Sequence, residues 1–198
     1  METYSYLKLP FVEIEIRFGT LGNTFDSSVD KVYFNKIGSV LESGQWVSVD
    51  TIKTEEFIND SLRLIEENGK ESILMMKEKI QSNIISLKNS PFDIKYSITQ
   101  EFLLNSYKGS FNKNGAVIRN KTRRTFTSNH FKYDLTVVNE TINNIKKDKH
   151  EIEIELLVNK DTLCWTPEYI NDFLECKIYD LINIVEQTER EKFKVKIL

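Results

Sequence analysis

Cysteine is almost missing from this chain of 198 residues: there are two, Cys164 and Cys176. Their spacing matches neither a metal site nor a disulfide framework, and a reducing compartment is expected. Histidine is equally scarce. His130 and His150 have no carboxylate relay beside them, and no cysteine lies in the strongly charged segments, so covalent catalysis through either residue type is disfavoured. The seven glycines build no phosphate-cradling loop, because Asn68-Gly69-Lys70 and Lys108-Gly109-Ser110 are too short and lack the required spacing. No linker rich in proline, glycine or serine interrupts the chain, which predicts one domain over residues 1–198. No run approaches the ~18 apolar residues of a membrane span, and Met1 to Pro10 has no apolar signal core, so cytoplasm or nucleus is expected rather than secretion. A net charge of -3 argues against a protein that coats nucleic acid non-specifically, while leaving room for a local basic groove.

What is present is 40% hydrophobic and 29% charged, and its clearest pattern is alternation. In Val12-Glu13-Ile14-Glu15-Ile16-Arg17-Phe18 the charged residues fall on one face of a strand and the apolar ones on the other. A near-copy returns as His150-Glu151-Ile152-Glu153-Ile154-Glu155-Leu156-Leu157. One such segment alone reads as a strand with one wet face. Two of them, as neighbours, would crowd five carboxylates: two unit charges ~4 Å apart cost roughly 4 kcal/mol at an effective dielectric of about 20. No lysine or threonine relieves the late strand between Glu151 and Glu155. The simplest relief is a cation, so the two segments are predicted to line the inside of one barrel and to meet around a divalent metal.

Along the chain, residues 11–18 read as the first strand. Apolar positions from Ser27 to Ser43 recur at helical spacing, with Asp26 or Ser27 as cap. Residues 46–54 suggest a short strand. Leu62 to Glu66 and Ile73 to Ile80 flank the hairpin signal Asn68-Gly69, and Ile84 to Lys88 suggests a further strand. Phe92 to Leu104, Ala116 to Phe126 after Asn114-Gly115, Phe131 to Val138 and His150 to Val158 complete the strands. Thr166-Pro167-Glu168 starts a helix, and Phe193 to Leu198 alternates like a last strand. About eight to ten consecutive strands without intervening helices predict a mainly β (α+β) fold, an antiparallel sheet closed on itself.

A second charged pattern is basic. Arg119, Lys121 and Arg123 share a face, as do Lys132 and Asp134 on the next strand. Taken alone this suits an edge strand guarded by charge. Beside an acidic floor it suits a polyphosphate site. Mg²⁺ takes a few carboxylates together with phosphate and water, and guanidinium and ammonium groups neutralise the remaining phosphate oxygens. Direct attack by water on a phosphate needs only positioning and charge neutralisation. The adjacent Arg123 and Arg124 leave open which one faces inward, since that depends on register. Aromatics such as Tyr4, Tyr6 and Phe11 could stack a base, but core packing is their expected use.

These segments together resemble the tunnel-fold, metal-dependent triphosphatases. Glu13-x-Glu15-x-Arg17 is similar to that family's first signature, Glu151-x-Glu153-x-Glu155 to its last acidic strand, and Arg119-x-Lys121-x-Arg123 to its basic strand. Phe131-Lys132-Tyr133-Asp134-Leu135-Thr136 and the Phe25, Val32, Phe34 stretch bring the resemblance closer to the RNA 5′-triphosphatases of mRNA capping in fungi, protozoa and large DNA viruses. The resemblance implies a closed eight-stranded antiparallel β-barrel with flanking helices. The reaction it implies is hydrolysis of the γ-phosphate of triphosphate-ended RNA, with viral capping as the setting. Glu13, Glu15, Glu153 and Glu155 would bind Mg²⁺ or Mn²⁺, and Glu151 would orient the water or brace a basic side chain. Arg17, Lys121 and Arg123 would hold the γ-phosphate, supported by Arg119, Lys132 and the loosely matched Lys95, with Asp134 behind one of these cations. Expected partners are the RNA 5′ end, free nucleoside triphosphates and a guanylyltransferase domain or subunit, with no membrane. Alternatives are a general tripolyphosphate or nucleoside-triphosphate hydrolase on the same fold, and a non-catalytic barrel that binds RNA ends.

Overall fold

The computed structural model describes residues 6–87, 90–104 and 111–195, the side chains of 187–195 excepted. Among the described residues there are nine strands: β1 (Val12–Leu21), β2 (Phe25–Asp26), β3 (Ser48–Asn59), β4 (Leu62–Glu66), β5 (Ile73–Ser86), β6 (Asp93–Leu103), β7 (Val117–Thr127), β8 (Phe131–Ile142) and β9 (Ile145–Leu156). They run in the order β2-β1-β6-β5-β4-β3-β7-β8-β9, and β1 also pairs with β9. That last pairing closes eight antiparallel strands into a barrel. The two-residue β2 adds to the far end of β1 through Thr20 and Leu21.

The barrel is apolar on its outside and charged within. Ile14, Ile16 and Phe18 of β1, Ile94, Tyr96 and Ile98 of β6, Tyr133 and Leu135 of β8, and Ile152, Ile154 and Leu156 of β9 are buried on the outer face. They pack with Ile37 and Leu41 of helix α1 (Lys31–Glu42) and with Ile170, Leu174, Leu181, Ile182 and Val185 of helix α2 (Pro167–Val195). Each such side chain contributes roughly 1.5–3 kcal/mol by leaving water. Burial therefore sits between wall and helices, and the lumen is free to be polar. Trp46 closes one edge of this layer, its ring 5.7 Å from those of Phe126 and Tyr133 and its Nε1 donating to the Leu41 carbonyl at 2.6 Å.

Several boundaries differ from the sequence expectation. Helix α1 starts at Lys31, because Asp30 caps it by accepting from Val32 N at 2.7 Å. The preceding residues instead lie along β9, where Val29 N donates to His150 O at 2.8 Å. The two strands expected over 73–80 and 84–88 are one strand, β5, whose register shifts between Lys79 and Gln81. A bulge at Ile80 breaks the alternation without breaking the strand. Strands β3, β8 and β9 are longer than expected. Asn143 and Asn144, both at positive φ, make the two-residue turn that lets β8 run straight into β9. Helix α2 begins as read, with Thr166 Oγ1 accepting from Tyr169 N at 3.2 Å and Pro167 in the first turn. It continues to Val195, so residues 193–195 are helical in place of the last strand; the rest of that tail, like Tyr4 and the segment 105–110, lies outside the described residues.

Candidate active site

Register carries one parity from β6 through β1, β9 and β8 to β7. On β1, Glu13 faces Thr99, Glu15 faces Ser97 and Arg17 faces Lys95 of β6. On its other side Glu15 faces Glu155 and Arg17 faces Glu153 of β9. Strand β9 in turn sets Glu155, Glu153 and Glu151 opposite Lys132, Asp134 and Thr136 of β8. Strand β8 sets Thr136 and Glu140 opposite Arg123 and Arg119 of β7. All twelve site residues expected from sequence therefore lie on the inner face, brought from the chain's beginning, middle and end.

Inside, acids and bases are interleaved. Arg17 bridges two carboxylates, pairing with Glu15 on its own strand and with Glu153 at 2.8 Å across the barrel seam. Arg123 reaches Glu153 at 3.2 Å, Asp134 at 3.3 Å and Thr136 Oγ1 at 3.3 Å. The register question is thereby answered: Arg123 points in, while Arg124 points out and pairs with Glu42 of α1. Lys132 pairs with Glu155 at 2.8 Å. Asp134, 1% exposed, also accepts from Thr125 Oγ1 at 2.5 Å. Glu151 is bound to Arg119 at 2.6 Å and accepts from Ser27 Oγ at 2.9 Å, so it braces a basic side chain in this state. Lys95 lies next to Arg17, 6.0 Å from the Phe25 ring centre. The histidines stand apart: the His150 ring packs tilted against Phe34 and the His130 ring meets Trp165 edge-on.

An acidic floor on β1 and β9 facing a basic wall on β7 thus lines one polar tunnel. A family model described as mRNA capping enzyme, beta chain, matches residues 27–165, well over half of the sequence. The chain belongs to this family. Its activity is that of the family, removal of the γ-phosphate from triphosphate-ended RNA in the first step of mRNA capping. No curated protein sequence matches it. Among solved structures it is similar to the S. pombe RNA triphosphatase Pct1, with a TM-score of 0.68 at 17% identity over 95% of this chain and 88% of that one. A Pct1 structure in complex with the Spt5 CTD gives 0.67 at 18% identity, covering 95% and 87%. The RNA triphosphatase domain of a trifunctional Mimivirus mRNA capping enzyme gives 0.65 at 15% identity over 93% of each chain.

In this capping-enzyme chain the sequence reading missed several lumen residues. Lys77 of β5 pairs with Glu13, with Glu101 at 2.7 Å and more distantly with Glu15 at 3.7 Å. Glu56 of β3 pairs with Lys121 at 2.6 Å, and Glu140 of β8 binds Arg119 at 3.4 Å and Lys149 at 2.8 Å. Thr99 Oγ1 donates to Glu13 Oε2 at 3.2 Å. The signals existed: Lys77 and Lys79 alternate, and Glu56 lies two residues beyond Thr54. Each was a single charge in a mixed strand, which any solvated face also shows.

Among the described residues no group of three or more His, Cys, Asp or Glu is arranged to hold an ion; Arg17, Lys77, Arg123 and Lys132 pair with the carboxylates. The donor set nevertheless fits a hard divalent cation. Burial, and then the charge of Glu13, push the Glu155 carboxyl up to about 8 against the pull of Lys132. Burial also raises Glu15, with Glu153 adding to the shift, although Arg17 and Lys77 oppose it. Burial would raise Glu13 as well, but Lys77 overrides it and brings this carboxyl down to about 2. Burial acts likewise on Glu153, which Arg17 and Arg123 hold well below the usual carboxylate range. Glu15 and Glu155 are thus raised by burial and by neighbouring carboxylates in spite of their cationic partners, and a dication would favour their charged forms.

Proposed function

We propose that residues 1–198 act as a single triphosphatase domain, with the lumen as its active site. Glu13, Glu15, Glu153 and Glu155 would hold Mg²⁺ or Mn²⁺, which would polarise the phosphate and neutralise charge that grows in the transition state. The chain's own groups do the rest. Arg17, Lys121 and Arg123 grip the γ-phosphate, and Arg119, Lys132 and Lys95 take the remaining oxygens. Asp134 fixes Arg123 and Lys132, and Glu151 fixes Arg119. Arg17 exchanges a carboxylate for a phosphate as substrate enters. The substrate is the 5′-triphosphate end of RNA, with free nucleoside triphosphates as lesser substrates, and a guanylyltransferase consumes the diphosphate end that results. The expected setting is the cytoplasm or nucleus of a cell making capped viral mRNA.

The observation that carries this reading is the seam of the barrel, where Glu15 faces Glu155 and Arg17 faces Glu153. The test is Mg²⁺-dependent phosphate release from triphosphate-ended RNA and from tripolyphosphate, in wild type and in Glu15→Ala and Glu153→Ala. We expect RNA to be preferred, and each variant to stay folded while losing about a hundred-fold or more in rate. Preference for tripolyphosphate would make the chain a general hydrolase. Wild type that binds RNA ends without phosphate release would make it a binding barrel.

A further inference from the structure

Lys77 takes no part in the grip on phosphate described above, yet its ammonium is the most heavily engaged in the lumen. It pairs with Glu13, with Glu101 at 2.7 Å and with Glu15 at 3.7 Å. Two of these acids, Glu13 and Glu15, belong to the set read above as holding the metal, and the third, Glu101, does not. Glu101 faces Lys77 directly across the pairing of β5 with β6. The Lys77 backbone is fixed, because its N donates to Ser61 O at 2.9 Å, while its charge rides on a flexible four-carbon stem. Its side chain is 11% exposed, so solvent screens that charge weakly. The Glu13 Oε2 that pairs with Lys77 also accepts from Thr99 Oγ1 at 3.2 Å. That carboxylate therefore keeps a neutral donor whichever cation it faces.

We propose that Lys77 is a built-in placeholder for the metal: its ammonium occupies Glu13 and Glu15 while the site is empty, and withdraws onto Glu101 when a divalent cation takes their oxygens. The proposal rests on the reading of Glu13, Glu15, Glu153 and Glu155 as the metal-holding set. A hard dication and an ammonium seek the same carboxylate oxygens, and they repel each other at such range. Arg17, Arg123 and Lys132 also touch these acids, but substrate gives them phosphate oxygens to turn to. Lys77 has a carboxylate of its own in Glu101. The empty lumen thus keeps its acids paired, and Lys77 sets how tightly the protein takes a metal before substrate arrives.

The test is Mn²⁺ binding to the full chain without substrate, followed by the electron-spin signal of free Mn²⁺, in wild type, Lys77→Gln, Lys79→Gln and Glu15→Ala. Lys79 lies two residues on along the same face of β5, opposite Thr99 rather than a carboxylate. Its loss removes a lumen charge without removing a competitor. Lys77→Gln should bind Mn²⁺ roughly ten-fold more tightly than wild type, the scale of one close charge pair, and Lys79→Gln within about two-fold of wild type. Equal tightening in both, no tightening in Lys77→Gln, or no binding in any form overturns the proposal. A readout on wild type covers a Lys77→Gln that does not fold: acylation of Lys77 relative to Lys79, read by mass spectrometry, should rise when Mg²⁺ is added, and a constant ratio overturns the proposal. Glu15→Ala tells the two readings apart. If it leaves Mn²⁺ binding intact, the metal-holding set is wrong and the placeholder falls with it. If it abolishes binding while Lys77→Gln changes nothing, the placeholder alone falls.

Discussion

Lys121 is an ammonium inside the barrel wall. Burial, reinforced by Arg119 and Arg123, brings it down to about 8, while Glu56 resists that shift. Below about pH 8 it is charged and available to phosphate; above that it is neutral. Phosphate favours the charged form, so affinity for tripolyphosphate should fall as pH rises through about 8, and inhibition constants measured from pH 6 to 10 should show it. In Lys121→Arg the Lys121 share of the fall should vanish, because a guanidinium keeps its proton, leaving the smaller fall that comes from Glu155, which loses its proton near the same pH. The Arg119–Glu151 pair makes a stability prediction instead. Both groups are buried, and removing Glu151 leaves Arg119 with only the longer Glu140 contact at 3.4 Å, a loss that approaches the roughly 3–5 kcal/mol of breaking a buried pair. Urea unfolding should find Glu151→Ala destabilised by about that much and Arg119→Met with Glu151→Leu much less so. Neither the depressed Lys121 nor the buried pair could be read in sequence. Alternation places a residue on a face, but burial and partner choice depend on which strand lies alongside.

Strand β1 was legible almost completely, since Glu13-x-Glu15-x-Arg17 encodes both its parity and its chemistry. Strand β5 was not, because the bulge at Ile80 shifts the phase and Lys77 lies on the near side of it. The sequence alone starts the early helix four residues too soon because Asp26, Ser27 and Asp30 are all competent caps. Only packing of Val29 along β9 selects the last. At the other end of β1, Gly19 passes so close to β2 that an added Cβ would lie 2.7 Å from Phe25 Cζ and 2.9 Å from Asp26 C. Gly19→Ala should therefore lower stability by about 1–3 kcal/mol, visible as a lower melting temperature. Helix α2 braces the floor from outside. Leu181, fully buried, should cost about 2–5 kcal/mol when cut to alanine, and phosphate release should weaken with it, because the helix packs behind the strands that hold Glu15 and Glu153.

For the molecule as a whole, the lumen's carboxylates already have cationic partners from the chain itself. Folding is accordingly not tied to metal in the way of a zinc finger. Chelation should abolish phosphate release while circular dichroism and the melting temperature stay nearly constant, and Mg²⁺ with tripolyphosphate should raise the melting temperature together. The pairing of Ile14 with both Ile98 and Leu156 has a further consequence, this time for synthesis. During translation the opening strand emerges first and finds its final neighbour last, since nothing can close the ring until the ribosome has passed Leu156. Until then it presents a bare, apolar edge, and such long-range closure is slow. A nascent chain arrested earlier should carry every early glutamate of the site and still turn over nothing, and a chaperone that shields residues 12–18 would serve this protein more than one that waits for its helices.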